Sequence, residues 1–278
     1  MANSNELYDT PRPTLAKVVL IGGIGMEVKD TKPLPEEILK IVESRDATIL
    51  FSFGSIAPSH NMPLEWKRSF VEAFKKFPNY NFLWRYEKDD IKAILPPNVY
   101  LYKWLPQTDL LRHSKTKAFI THAGYNSIQE AINIGMPVIT VPLYGDQPRN
   151  ALLAKHHGFG LILQKSELSA ESISKAIEEI VSNKKYFEAA KRLSKMVEHK
   201  PVSPAQLLVK WSEFVAKFKT LENLEPAGNK LNFFQYHSLD VIFTLLIVLI
   251  ISLTVTAALF RCLLHRIFAK YIVKSKKE

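Results

Sequence analysis

The chain has 278 residues, 47% of them hydrophobic, with a net charge of +10 and a single cysteine, Cys262. That length and apolar content suffice to bury a full α/β core as one domain, and one cysteine excludes an intrachain disulfide. Six Lys/Arg and one acid fall within residues 261–278. Half of the charge therefore sits in a tail, and the rest is too thinly spread for the basic stripe of a nucleic-acid surface.

Met1 to Arg12 is polar, without a charged stretch leading into an apolar run, so no signal peptide is expected in this sequence. Residues 1–30 read as a linker with one short strand, Lys17-Val18-Val19-Leu20, ending in Gly22-Gly23-Ile24-Gly25. Those glycines lack the third glycine and immediate helix of a dinucleotide loop and read as a turn. Leu34 to Ser44 is a short amphipathic helix with Glu36 and Glu37 in its first turn. Thr48 to Phe53 is a buried strand ending at Gly54-Ser55, where Ser55 is either an ordinary turn residue or a hydroxyl placed to meet a phosphate. Pro63 to Phe77 follows as a helix burying Leu64, Phe70, Val71 and Phe74, and Tyr80 to Tyr86 as a strand. Val99 to Tyr102 is the next strand, leading through Lys103-Trp104-Leu105-Pro106-Gln107 into a helix that runs to Leu111. An indole at a strand end is more often a core residue, but it can also stack on a base, an interaction of roughly 1–3 kcal/mol. Trp66, Trp84 and Trp211 have no such setting and are assigned to packing.

Phe119 to Asn150 carries the chemical information. Lys117 to Thr121 is short, apolar and β-branched, like a strand buried in a parallel sheet. His122-Ala123-Gly124-Tyr125-Asn126 then hands over to a helix that buries Ile128, Ala131, Ile132 and Ile134, with Asn126 or Ser127 as its expected N-cap. Gly135-Met136-Pro137 stops that helix, Val138 to Val141 is a strand, and Pro142 to Gln147 is the loop leaving it. Both loops lie at carboxyl ends of parallel strands, where open α/β sheets bind ligands. A helix N-terminus beside Gly124 offers N–H groups and a positive dipole end to a phosphate, and His122 adds a donor. Glu130, one turn on, and the pair Asp146 and Gln147 suit sugar hydroxyls. The combination points to a nucleotide-sugar site.

Pro148 to His157 reads as a helix closed by Gly158, Phe159 to Leu163 as the last strand, and Ala170 to Val181 as a helix capped by Ser169. Lys184 to His199 and Pro204 to Phe218 make two more helices. Neighbouring histidines on a helix point about 100° apart, so His156 and His157 are read as surface or capping residues and no metal site is expected. A polar connector, 221–238, precedes an apolar span, 239–260, whose stretch Val241 to Phe260 carries no charge and is long enough for a ~30 Å hydrocarbon core. The basic residues that follow place 261–278 in the cytoplasm and the globular part on the opposite side. Cys262, beside the span, is read as an inert thiol.

The run Thr121-His122-x-Gly124-x-Asn126, with Glu130, Gly135-x-Pro137, Pro142 and Asp146-Gln147, resembles the signature of the family 1 UDP-glycosyltransferases, and most of all the animal UDP-glucuronosyltransferases. The resemblance extends from Pro11-Arg12-Pro13 to the tail. It implies an α/β fold, a Rossmann-like parallel sheet with flanking helices forming the carboxyl-terminal half of a GT-B fold, plus one carboxyl-terminal transmembrane helix. Residues 31–220 would be the UDP-sugar donor domain, without a cofactor. The resemblance also implies roles: Trp104 stacks on uracil, Gln107 and Glu130 hold the ribose, Ser55, His122, Gly124 and Asn126 hold the diphosphate, and Asp146 and Gln147 hold the sugar. The family's catalytic base, a His supported by an Asp, belongs to an amino-terminal acceptor domain, so none is assigned in this sequence. Implied partners are the UDP-sugar, a small lipophilic acceptor, a membrane, and an acceptor-domain partner or a homo- or hetero-oligomer. Lys274-Ser275-Lys276-Lys277-Glu278 resembles a cytosolic dilysine signal of endoplasmic reticulum membrane proteins.

Overall fold

Short apolar runs bury on both faces only when helices cover both sides of a sheet, and the strands of this chain meet that condition. The computed structural model describes residues 1–26 and 32–275. Strands β1 (Ala47–Ser52), β2 (Tyr80–Arg85), β3 (Val99–Tyr102), β4 (Thr116–Thr121), β5 (Val138–Thr140) and β6 (Gly160–Ile162) form one sheet in the order β3-β2-β1-β4-β5-β6. Every neighbouring pair is parallel. In the central register Phe51 lies opposite Trp84 on one side and Ile120 on the other.

Around the sheet run α1 (Glu36–Glu43), α2 (Leu64–Lys75), α3 (Gln107–Arg112), α4 (Tyr125–Ile134), α5 (Gln147–His156), α6 (Ala170–Ser182), α7 (Lys184–Glu198) and α8 (Pro204–Phe218). The two-residue period of β1 divides them. Ile49 and Phe51 point to one face, where Phe70 and Phe74 of α2 and Ile173 and Ile177 of α6 close a first core. Leu50 points to the other, against Ile128 and Ile132 of α4, Leu110 of α3 and Leu193 of α7. Ser169 caps α6 as expected, its hydroxyl accepting from Ser172 N–H at 3.1 Å.

The amino-terminal reading needs correction. Lys17 to Leu20 is not a strand: Leu20 pairs with Ala2 in a single isolated bridge. Nor is the polar start a bare linker. Asn5 and Tyr8 are fully buried, because each polar group finds a partner: Asn5 Nδ2 donates to Gly22 O at 3.1 Å and Gln129 Nε2 donates to Tyr8 OH at 3.0 Å. His157 contributes to the same packing, its Nε2 lying 2.8 Å from Tyr8 O.

Met1–Lys219 form one compact unit, and a second begins at Thr220. The second contains α9 (Phe233–Tyr236) and α10 (Leu239–Ser275). Leu239–Ile267 is long and apolar enough to cross a membrane, with a mean hydropathy of 2.7. The helix continues without a break past Phe260, and Cys262 is exposed on it as a free thiol. Lys276, Lys277 and Glu278 of the dilysine-like ending lie outside the described residues.

Phe51 is fully buried in the first core, with Phe70 at 4.6 Å and Trp84 at 4.7 Å between ring centres. Phe51→Ala is expected to destabilise the chain by about 3–5 kcal/mol. Urea unfolding followed by tryptophan fluorescence measures it, and a shift under about 1 kcal/mol would show that the site collapses around the smaller residue.

Candidate functional site

In the observed strand order, consecutive strands run outward from β1 in one direction and from β4 in the other. The crevice beyond the carboxyl ends of β1 and β4 is therefore the topological switch point, where open α/β sheets take ligands. Gly54 and Ser55 leave β1 there, and His122, Ala123 and Gly124 leave β4. The His122 ring lies between the two glycines. A Cβ at Gly54 would come within 2.8 Å of His122 Cε1, and one at Gly124 within 2.6 Å of Nε2. Gly54 also has φ +74°, a conformation that favours glycine. Side chains at either position would drive the imidazole out of its slot.

Gly124 is the N-cap of α4, and no side chain caps the helix. The expected caps lie inside the first turn instead, Asn126 exposed and Ser127 buried, because the chain turns into helix two to three residues earlier than the sequence pattern suggests. The first-turn N–H groups are thus left facing a cleft of 320 Å³. Ser55, His122, Gly124, Asn126, Asp146 and Gln147 line it together, with Ile56 and Tyr144 at its exposed edge.

Burial drives the His122 pKa down to about 4, against the weaker upward pull of the Asp146 carboxylate. The imidazole is consequently neutral at physiological pH, and its Nδ1 is buried without a hydrogen-bond partner among the described residues. Ala123 takes φ +64°, uncommon for a residue with a side chain. It is held there by Asn150, whose Nδ2 donates to Ala123 O at 3.0 Å and to Asp146 Oδ2 at 2.8 Å. Gln147 serves the opposite loop, its Oε1 accepting from Leu143 N at 2.8 Å and Tyr144 N at 3.0 Å.

The remaining three expected residues stand outside this cleft. Trp104 is 71% exposed, with the Arg85 guanidinium carbon 4.7 Å from its ring centre. Gln107 Nε2 donates to Glu130 Oε2, and Thr108 Oγ1 donates to Glu130 Oε1 at 2.7 Å. Glu130 is thus already hydrogen-bonded across α3 and α4. Sequence reasoning missed Asn150 and Thr108. Asn150 follows Asp146 by one helical turn, a spacing that could have signalled it.

The family model described as "UDP-glucoronosyl and UDP-glucosyl transferase" matches residues 3–278. The chain belongs to this family. It is 37% identical over 273 residues to a UDP-glucuronosyltransferase of Pleuronectes platessa, aligning 97% of this chain with 57% of that protein. It is 37% identical to UDP-glucuronosyltransferase 2C1 of Oryctolagus cuniculus, covering 98% of this chain and 53% of the relative. It is 34% identical to UDP-glucosyltransferase 2 of Dactylopius coccus, over 99% and 52%. The chain thus spans about half the length of the curated relatives it matches. Among solved structures, Os79 from O. sativa aligns with a TM-score of 0.59 at 21% identity, over 72% of this chain and 49% of that one. This likeness is one of fold: a Rossmann-like parallel sheet with flanking helices, as expected for the carboxyl-terminal half of a GT-B fold.

The depressed His122 pKa has a measurable sign. Between the ordinary value of 6.5 and about 4, the unfolded chain binds more protons at this position than the folded one. Stability is therefore held above pH 6.5 and lost as pH falls through about 4, by on the order of 3 kcal/mol. His122→Gln is expected to flatten that loss in urea midpoints taken at neutral and acidic pH. Parallel losses in parent and variant would rule out His122 as the cause.

Proposed function

We propose that the cleft at the β1/β4 switch point binds the diphosphate of a UDP-sugar, and that this chain is the donor-binding half of a membrane-bound glycosyltransferase. The observation that carries the reading is the uncapped N-terminus of α4 beside a half-buried, neutral His122, a pair of dipolar donors facing one 320 Å³ space. Ser55, His122, Gly124 and Asn126 hold the diphosphate, and Asp146 and Gln147 the sugar. Trp104 gives the uracil an exposed ring, and Gln107 and Glu130, already joined to each other, meet the ribose.

In this reading the acceptor hydroxyl attacks the anomeric carbon as the bond from that carbon to the phosphate oxygen breaks, with inversion. UDP departs with the bonding electrons, and its charge develops against the donors at the start of α4. The acceptor's proton goes to a base in an amino-terminal lobe, which also binds the small lipophilic acceptor. The sugar is glucuronic acid in our reading, with glucose the competitor, and no separate cofactor takes part. A second reading is a non-catalytic UDP-sugar-binding or regulatory subunit that pairs in trans with an acceptor half or a full-length transferase. Transfer by the purified chain alone would exclude this second reading.

We also place the protein in the endoplasmic reticulum membrane as a single-pass chain, with the globular unit lumenal and the carboxyl terminus cytoplasmic. Positive residues cluster after the apolar part of α10, which supports that orientation. In sealed microsomes a carboxyl-terminal tag should be digested by added protease while the globular unit survives. Survival of the tag would invert the topology.

Isothermal titration of the detergent-solubilised chain with UDP, UDP-glucuronic acid and UDP-glucose tests the donor reading. Trp104→Ala is expected to weaken UDP binding by about tenfold or more, the loss of one base–aromatic stack. Absence of binding to the parent chain would sink the reading.

A further inference from the structure

Residues 4–9, which the sequence presents as polar linker, are folded into a strap across the outside of the candidate site. Asp9 is its anchor. This carboxylate is only 8% exposed, and its Oδ2 accepts from Ser4 Oγ at 2.6 Å, from Asn5 N at 2.7 Å and from Tyr125 OH at 2.7 Å. Arg149 at the start of α5 stands 3.9 Å from the other oxygen. Tyr8, next to it, is bonded to Gln129 one turn further along α4. The strap therefore grips α4 twice, at its first residue and at its second turn.

Tyr125 is unusual in what it joins. Its backbone sits between Gly124 and Asn126, and it lines the cleft, while its hydroxyl reaches out of the cleft to the strap. Burial, reinforced by the bond to Asp9, pushes the phenol pKa far up, so the hydroxyl is a permanent donor. No side chain of α4 itself caps this turn, and the preceding Ala123 is in a left-handed conformation. The orientation of the first turn is consequently fixed from outside, by Asp9 through Tyr125 and by Asn150 through Ala123.

We propose that the Asp9–Tyr125 hydrogen bond is a positioning contact for the nucleotide-sugar donor: it aims the first turn of α4 at the diphosphate, so that donor affinity depends on the amino-terminal strap. The inference rests on the reading of the cleft as a UDP-sugar site. Any motion of chain preceding or following the strap is then felt at the phosphate-binding turn without a contact to the ligand.

The test is titration of the full chain in detergent with UDP, for the parent, Tyr125→Phe, Asp9→Ala and Asp9→Asn, together with melting temperatures without ligand. Tyr125→Phe removes one hydroxyl and keeps the ring, and should weaken UDP binding by about tenfold, the scale of a hydrogen bond to a charged group. Asp9→Ala should do the same, and Asp9→Asn, which retains an acceptor oxygen, should restore most of the affinity. Glu171→Gln, which loosens an exposed ion pair with Lys175 on α6, away from both strap and cleft, should leave UDP affinity unchanged. If Asp9→Ala does not fold, Tyr125→Phe decides. An unchanged UDP affinity in Tyr125→Phe, or a lowered melting temperature with unchanged affinity, would overturn the inference while the donor reading stands. A parent chain that does not bind UDP would overturn both.

Discussion

The steric fit of the His122 ring between Gly54 and Gly124 is the constraint on which the site depends, since it sets how closely the loops that leave β1 and β4 can approach each other. Parallel strands that diverge in connection leave a crevice between their carboxyl ends in any fold of this type. What makes this crevice specific is the pair of glycines beside the ring. Two residues without Cβ atoms leave room for an imidazole between them, and burial there keeps the ring neutral. Phe51 and Leu50 serve the same geometry from below: by committing β1 to a core on each face, they hold the strand that carries Gly54 in a single register.

The second layer of the site consists of residues that touch loops. Asn150 bridges Ala123 and Asp146, tying the loop after β4 to the start of α5. Gln147 closes the loop after β5 onto its own helix. Glu130 is braced by Gln107 and Thr108 across α3 and α4. Each bond joins segments that the sheet alone would leave independent, and a polar side chain in such a position rigidifies only when its hydrogen-bonding capacity is used. The site is in this sense preformed: four of the residues expected to meet ligand, Gln107, Glu130, Asp146 and Gln147, are already engaged in shaping it.

The sheet was legible in the sequence because its strands are apolar runs bounded by glycine and proline, and such runs bury regardless of what surrounds them. Six of the nine expected site residues came together in one cleft for a related reason: Ser55, His122, Gly124, Asn126, Asp146 and Gln147 are fixed by loop position at strand ends. Trp104, Gln107 and Glu130 form a neighbouring group, as their place on a different strand and helix dictates. Less legible was anything that depends on partners distant in sequence. Asp9 and Tyr125 lie 116 residues apart, and nothing in the composition of residues 1–12 marks them for burial. The helix start was misplaced by a related effect. Asn126 and Ser127 are good caps in isolation, but the left-handed Ala123 lets the helix begin at Tyr125.

The charge pattern of the cleft narrows how an anion could be held there. Among the described residues no lysine or arginine lines it; the one formal charge among them is Asp146, and His122 is neutral. A diphosphate in this cleft would be met by hydrogen-bond donors and the positive end of α4, which contribute fractions of a charge over a few ångströms. Their strength comes from orientation and from exclusion of water, so small rotations of the first turn matter more than they would beside a lysine, whose flexible stem follows its ligand. Fixing the turn from outside, through Asn150 on one side and the amino-terminal strap on the other, supplies the orientation that this mode of binding requires.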